Sequence, residues 1–267
     1  VLEEYGVELP TDLASFISTL DALKAAGMES PLSLGEAWTE VQLFETILLA
    51  TVGPDMYNGL WAGTADWGSA EVKDAITNTA KIMEYVNSDY ATLSWQDATK
   101  LMVDGDAAFN IMGDWADGYM SGAVDGGNLG LTPEVDYGWM PVPGTQGNFI
   151  FLSDSFVLPV GAKHPDAAMK WLTLCGSKEG QDAFNPVKGS IAARKDSDKS
   201  LYGVYLQSAM EDWATNTVVG SLAHGVVANP SWATKITEDW GAFVIDFDVD
   251  AFQSALVASC AEFGTCK

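Results

Sequence analysis

The chain has 267 residues, of which 48% are hydrophobic and ten are tryptophan, a composition that is typical of a folded protein and excludes intrinsic disorder. Its 37 acidic and 13 basic residues give a net charge of −24, which would repel phosphate backbones and anionic lipid surfaces and so excludes nucleic-acid-binding proteins. Since no run of about 18 uncharged apolar residues occurs, the sequence predicts no membrane-spanning helix.

Helical periodicity dominates the chain from its first residues. An apolar stripe follows a capping Thr11 and ends at Gly27, which predicts the first helix. A fourth helix begins with the capping-box spacing of Ser94. The predicted helices cover residues 11–27, 40–49, about 70–83, 94–105, about 165–175, 201–213 and 248–260.

Three extended segments interrupt these helices, and they predict short buried strands. They cover residues 107–112, 137–142 and 149–160. Because the strands are few and helices separate them, the pattern indicates an α/β or α+β fold with small sheets. If the chain forms two lobes, the segments 141–144 and 195–199 are where it is predicted to cross from one lobe to the other.

The chain contains three cysteines and two histidines. The short spacing of Cys260 and Cys266 favours a disulfide and an oxidising compartment, with two unpaired thiols as the alternative. Cys175 lies in a helical pattern, which favours a buried apolar residue over a nucleophile. His164 and His224 are too few for a zinc site, so no metal and no cofactor are predicted.

Four residues stand out as candidates for binding a sugar, which needs hydrogen-bonding groups and an aromatic ring for its apolar face. A turn after a strand would place Trp115 outside the sheet. Asp154 interrupts an apolar strand, where an unpaired carboxylate is costly. Lys188 lies in a loop that is otherwise poor in charge, and His224 has no ionisable neighbour within five positions.

Each of these residues also has an ordinary structural interpretation. Trp115 would serve in a core, Asp154 in a turn, Lys188 on the surface and His224 in a satisfied structural position. The acidity likewise has two interpretations: it promotes solubility, or it builds a cleft for a cation such as a polyamine.

Several segments together resemble the bacterial extracellular solute-binding proteins of carbohydrate ABC importers, within them the glucose-binding branch. The resemblance runs over essentially the whole chain and is most specific at residues 177–194. The other segments that carry it are 1–11, 35–42, the Met-Gly-Asp-Trp turn that ends at Trp115, and 153–156.

The resemblance implies roles for particular side chains. In the glucose-binding branch, residues equivalent to Trp115, Asp154, Lys188 and His224 line the sugar cleft, and Trp38 is a further candidate. It also implies a helix-rich periplasmic-binding-protein-like fold of type II with two lobes.

The resemblance further predicts how the chain divides. Residues 1–143 and 202–267 would belong to the second lobe, and residues 144–201 would return into the first. Most of the first lobe, and a signal peptide, are expected to be missing from this chain, so that half of the cleft would be absent and a normally buried face exposed.

The function implied by the resemblance is binding without chemistry. A periplasmic or extracellular monomer, anchored by lipid or free, would deliver glucose or a similar hexose to the membrane permease of an ABC importer. Alternatives are a polyamine- or oligosaccharide-binding relative and an acidic glycoside hydrolase, which would need two carboxylates about 5–10 Å apart.

Overall fold

The computed structural model describes residues 1–266, and the chain divides into two compact units. Unit 1 contains residues 1–112, 140–152 and the chain from 216 onward, and unit 2 contains residues 113–139 and 153–215. Helices dominate both units, as predicted. None of the helices in the described part of the chain is both long and apolar enough to cross a membrane.

Unit 1 carries seven α-helices among its described residues and four short strands. The helices are α1 (Leu2–Tyr5), α2 (Leu13–Ala25), α3 (Ala37–Ala62), α4 (Ala70–Met83), α5 (Trp95–Asp104), α10 (Pro230–Asp246) and α11 (Val249–Phe263). The strands are β1 (Leu32–Ser33), β2 (Phe109–Asn110), β3 (Asn148–Phe151) and β4 (Thr217–Gly220).

The strands form two parallel pairs, each joined by a long crossover connection, as parallel pairing requires. β1 pairs with β2, and Leu32 lies opposite Phe109. β3 pairs with β4 from Asn148 opposite Thr217 to Phe151 opposite Gly220. β4 therefore leads directly into the loop that begins at Ser221, which carries the predicted site residue His224.

Helix α3 is much longer than the predicted helix over 40–49 and is buried along most of its length. It is kinked at Gly53, whose φ of 74° is outside the helical region, and Pro54 follows. Pro54 occupies the first turn of the second segment, where its missing N–H leaves no helical hydrogen bond unmade. The Gly-Pro pair therefore bends the helix beyond the predicted end at residue 49, and the helix continues to Ala62.

Aromatic rings fill the core of unit 1 against α3. Trp61, Trp67 and Trp232 meet edge to face, with ring centroids 4.9 to 6.3 Å apart. A second group joins α3, α10 and α11 and consists of Phe44, Trp240, Phe243 and Phe252. Edge-to-face packing of this kind stabilises a core beyond its buried area.

The disulfide Cys260–Cys266 ties the end of α11 to the following turn. Cys260 is fully buried in the core of unit 1. In unit 2, Cys175 is a free thiol and is half-buried rather than buried.

Unit 2 is built from four shorter helices. They are α6 (Trp115–Ser121), α7 (Pro165–Cys175), α8 (Lys178–Lys188) and α9 (Val204–Thr215). Helix α8 packs against both α6 and α7. The Trp171 side chain of α7 is 58% exposed.

The strand predictions are only partly right. Of residues 107–112 only Phe109 and Asn110 form a strand, and of 149–160 only the beginning does so. No strand forms over 137–142, where Tyr137 makes one isolated bridge to Pro133 and Trp139 donates its indole N–H to Ser208. The apolar residues Phe156, Val157 and Val160 are exposed, so the apolar run over 152–160 indicates neither a strand nor burial.

Candidate functional site

Two predicted site residues of unit 2 form an ion pair. Nζ of Lys188 lies 2.7 Å from Oδ2 of Asp154, and the side chains are 30% and 63% exposed. Lys188 is the last residue of α8, so the prediction that it lies in a loop is wrong. Ser177 caps the start of this helix, and Gly189 ends it. Asp154 lies beyond the end of β3 rather than within a strand.

Two glycines bring the end of α8 against α6. A Cβ atom on Gly118 would lie 2.6 Å from the carbonyl oxygen of Lys188, and one on Gly189 would lie 2.6 Å from the backbone nitrogen of Gly118. No side chain fits at either position, because real Cβ contacts are longer than this. The close approach holds Lys188 beside the first turn of α6.

Asp114 precedes α6 and lies near the same lysine. Burial raises the pKa of the Asp114 carboxyl to about 6, although the positive charge of Lys188 and the backbone N–H groups of Trp115 and Ile191 oppose that rise. Lys188 therefore lies near two carboxyl groups, one exposed and one half-buried. Asp114 belongs to the Met-Gly-Asp-Trp motif, and no role for it is predicted from the sequence.

Trp115 is the first residue of α6, so the predicted turn is the beginning of a helix. Its indole ring lies against the backbone of Gly113, where a Cβ atom would overlap the six-membered ring. The glycine of the Gly-Asp-Trp motif therefore fixes the direction in which the Trp115 ring points.

The other two predicted site residues, Trp38 and His224, contact each other in unit 1. Their ring centroids are 5.5 Å apart and the rings are inclined by 68°, an edge-to-face arrangement. Trp38 lies in the first turn of α3 and donates its indole N–H to Glu36 at 2.5 Å. Glu36 also accepts the backbone N–H of Trp95 at 3.2 Å, so its carboxylate links the Trp38 indole to the first residue of α5.

The loop that carries His224 is anchored by a buried carboxyl group of α3. Glu45, which is 1% exposed, accepts hydrogen bonds from the Ser221 hydroxyl at 2.8 Å and from the backbone N–H groups of Leu222 and Ala223. Ser221 in turn contacts Nδ1 of His224 at 2.9 Å. Burial raises the pKa of Glu45 to about 7, against the opposing effect of these donors.

The structure thus pairs Asp154 with Lys188 in one unit and Trp38 with His224 in the other. Trp115 lies on α6, against which the end of α8 packs. Sequence reasoning missed Glu45, although a lone glutamate in the apolar run Phe44 to Leu49 is the signal that would have found it, since a buried carboxyl needs partners.

Among residues 1–266, no group of three or more His, Cys, Asp or Glu side chains is arranged to hold a metal ion. The polar groups described above are instead suited to reversible hydrogen bonding. Carboxylates accept, Lys188 donates, and the indole rings offer apolar faces.

Comparison with known proteins identifies the family of the chain. Residues 1–182 match the family described as bacterial extracellular solute-binding protein. An uncharacterized ABC transporter extracellular-binding protein of Pyrococcus horikoshii is 35% identical over 96% of this chain and 58% of its own length. A probable sugar-binding periplasmic protein of Mesorhizobium japonicum is 33% identical over 91% of this chain and 59% of its own length. The chain therefore spans somewhat less than three fifths of these relatives.

A solved structure shows the same fold. A bacterial solute receptor described as having an exclusive preference for β-D-galactopyranose aligns with a TM-score of 0.78 over 98% of this chain and 67% of its own length, at 16% identity. The helix-rich α/β fold of the periplasmic-binding-protein type is thereby confirmed.

Proposed function

Because the chain belongs to the family of bacterial extracellular solute-binding proteins, we propose that it binds a neutral sugar, a hexose such as glucose, for an ABC importer. The sugar-binding name of a relative that is 33% identical supports the class of ligand. The disulfide Cys260–Cys266 agrees with a place outside the cytoplasm. In this proposal the protein acts as a monomer and its macromolecular partner is the membrane permease.

The ion pair between Lys188 and Asp154 is the observation that carries the proposal. It places an ammonium donor and a carboxylate acceptor 2.7 Å apart at a partly exposed position. Neighbouring hydroxyls of a sugar ring both donate and accept, so they complement such a pair. Charge-assisted hydrogen bonds of this kind contribute about 1.5–3 kcal/mol each.

Aromatic rings supply the second half of the proposed recognition. Trp115 would stack on the apolar face of the pyranose, as Trp rings do at sugar sites. His224 and Trp38 would contact the ligand through a ring nitrogen and an indole face. The family resemblance implies these roles. The contacts of the three rings with a glycine, a carboxylate and a hydroxyl, described above, support them by holding the rings in position.

The same ion pair argues against a polyamine ligand. Lys188 already neutralises Asp154 and also lies near Asp114. A polycation would have to displace or approach this ammonium group, which costs electrostatic energy. Polyamine binding would weaken steeply with added salt, whereas binding of a neutral sugar would hardly respond.

Calorimetric titration tests the proposal. The product of the complete reading frame should be titrated with glucose, galactose, mannose, xylose, maltose and spermidine, in low and high salt. Saturable, salt-insensitive binding of one hexose is expected. Salt-sensitive binding of spermidine alone would replace the proposal with the polyamine alternative, and sustained turnover of aryl glycosides would replace it with a hydrolase.

A further inference from the structure

We infer that Glu45 is a positioning residue that determines, through Ser221, which ring nitrogen of His224 carries the proton. The consequence for sugar binding rests on the proposed function, but the tautomer itself does not. The inference follows from counting the donors and acceptors in the chain of contacts that runs from α3 to the loop after β4.

The two oxygens of the Glu45 carboxyl group have different partners. Oε2 accepts the backbone N–H groups of Leu222 and Ala223. Oε1 is the oxygen nearer to the hydroxyl of Ser221, at 2.8 Å compared with 3.1 Å for Oε2. A proton bound by this carboxyl group would therefore lie on Oε1, facing Ser221.

Ser221 has one hydroxyl proton and two lone pairs to distribute. Its oxygen accepts the backbone N–H of His224 at 3.2 Å and lies 2.9 Å from Nδ1 of the same residue. When Glu45 is ionised, the hydroxyl proton must point to Glu45. Nδ1 must then donate to Ser221, so in the neutral imidazole the other nitrogen, Nε2, is an acceptor.

Protonation of Glu45 reverses this arrangement. The proton on Oε1 donates to Ser221, the Ser221 hydroxyl turns to Nδ1 of His224, and the imidazole proton moves to Nε2. In both arrangements, each contact between Glu45, Ser221 and Nδ1 of His224 has one donor and one acceptor. The group is thus a two-state relay in which one proton on a buried carboxyl changes Nε2 of His224 from an acceptor to a donor.

Ser221 is the group with which the Glu45 carboxyl can exchange a proton. Among residues 1–266, no lysine or arginine lies within ion-pair distance of Glu45. The neighbouring titratable groups are Tyr57 on the same helix, whose hydroxyl donates to the carbonyl of Gly220 at 2.9 Å, and His224. The carboxyl group can exchange its proton along the relay without breaking an ion pair.

Nitrogen-15 NMR of histidine tests the inference without any ligand. The chain has two histidines, so a His164→Gln background leaves the signal of His224 alone. At about pH 8 we expect the Nδ1–H tautomer. In Glu45→Gln, the amide oxygen would accept the loop N–H groups and the amide N–H₂ would donate to Ser221, so we expect the Nε2–H tautomer.

Two further variants serve as controls. Glu40 lies on the same helix, is also buried and accepts the indole N–H of Trp240 at 2.7 Å, so Glu40→Gln should leave the tautomer unchanged. Ser221→Ala interrupts the relay and should abolish the Nδ1–H preference even if Glu45→Gln fails to fold. The same tautomer in the parent, in Glu45→Gln and in Ser221→Ala would overturn the inference.

Sugar titrations of the same variants separate the inference from the proposed function. Removal of one well-placed acceptor weakens binding by about tenfold. A tautomer change together with that loss supports both statements. A tautomer change without any sugar binding by the parent protein would support the relay and remove the proposed function.

Discussion

Nζ of Lys188 lies 2.7 Å from the carboxylate of Asp154, although helix α7 and most of α8 separate the two residues along the chain. Gly118 and Gly189 let α6 and the end of α8 approach closely, which fixes the backbone of Lys188. Since Asp154 is 63% exposed, the pair contributes little to stability. In the proposed function, its donor and acceptor groups therefore serve the ligand rather than the stability of the fold.

Neutralising this pair should therefore affect binding and leave stability almost unchanged. We expect Asp154→Asn and Lys188→Met each to weaken hexose binding by about tenfold or more, because each removes a charge-assisted hydrogen bond. The free energy of unfolding should change by less than about 1 kcal/mol. Calorimetric titration and urea unfolding measure the two effects separately.

A second exposed ion pair provides the matched control. Lys73 lies 2.6 Å from Asp250 on the surface of unit 1. Asp250→Asn should leave both sugar affinity and stability essentially unchanged. Equal losses of affinity in this variant and in Asp154→Asn would show that the effect is general electrostatics rather than recognition by Asp154.

A methyl group at Gly113 should displace the Trp115 ring. The added Cβ would overlap the indole, so we expect Gly113→Ala to lower the free energy of unfolding by about 1–3 kcal/mol and to weaken sugar binding. Gly138→Ala is the control, because no atom lies within 4 Å of the position of its Cβ. Wild-type affinity in Gly113→Ala would contradict a stacking role for Trp115.

The buried carboxyl of Glu45 predicts a pH dependence of stability. Burial raises its pKa from 4.5 to about 7, so the folded chain binds this proton more tightly than the unfolded chain does. Its contribution of about 3 kcal/mol is present below about pH 4.5, is lost as the pH rises to about 7, and is absent above. The free energy of unfolding should thus fall between about pH 5 and pH 8.

Glu45→Gln isolates this contribution. We expect urea unfolding of the variant to show a smaller decrease over the same pH range, with the remainder due to groups such as Asp114, whose pKa burial raises to about 6. An identical decrease in the variant and the parent would mean that Glu45 has the same pKa in the folded and unfolded chains.

The disulfide at the end of α11 should stabilise the chain measurably. Closing a loop of this length restricts the unfolded state by about 2 kcal/mol. We therefore expect a paired Cys260→Ser and Cys266→Ser variant to unfold at lower urea, and reduction of the parent to have a similar effect. Cys175→Ser serves as the control, since Cys175 is a free thiol whose removal should not alter the response to reductant.

The sequence predicts helices well where periodicity and caps are local. The start at Ser94 has the predicted cap, because its side-chain oxygen accepts the backbone N–H of Asp97. The first helix is capped by Asp12 rather than by the predicted Thr11. The long helix α3 was underestimated, because a helix buried on most sides lacks a polar stripe. Strand pairing was not predictable, since β3 and β4 are far apart in sequence and their register depends on tertiary packing.

The candidate site could be predicted from the sequence only in part, for the same reason. His224 stands out because its neighbours carry no charge. Trp38, which it contacts, and Glu45, which is linked to it through Ser221, both come from α3, remote in the chain. The contact of Gly118 with Gly189 likewise depends on how α6 and α8 meet. Residue type indicated candidate binding side chains, and only the fold showed which contacts hold them in position.

Titration of the complete reading-frame product with glucose, by calorimetry, tests the central claim most directly when it is repeated for Trp115→Ala, Asp154→Ala and His224→Ala. The account predicts saturable binding by the parent protein and a loss of about tenfold or more in each variant. Unchanged glucose affinity in all three variants, or no binding of any sugar by the parent, would contradict it.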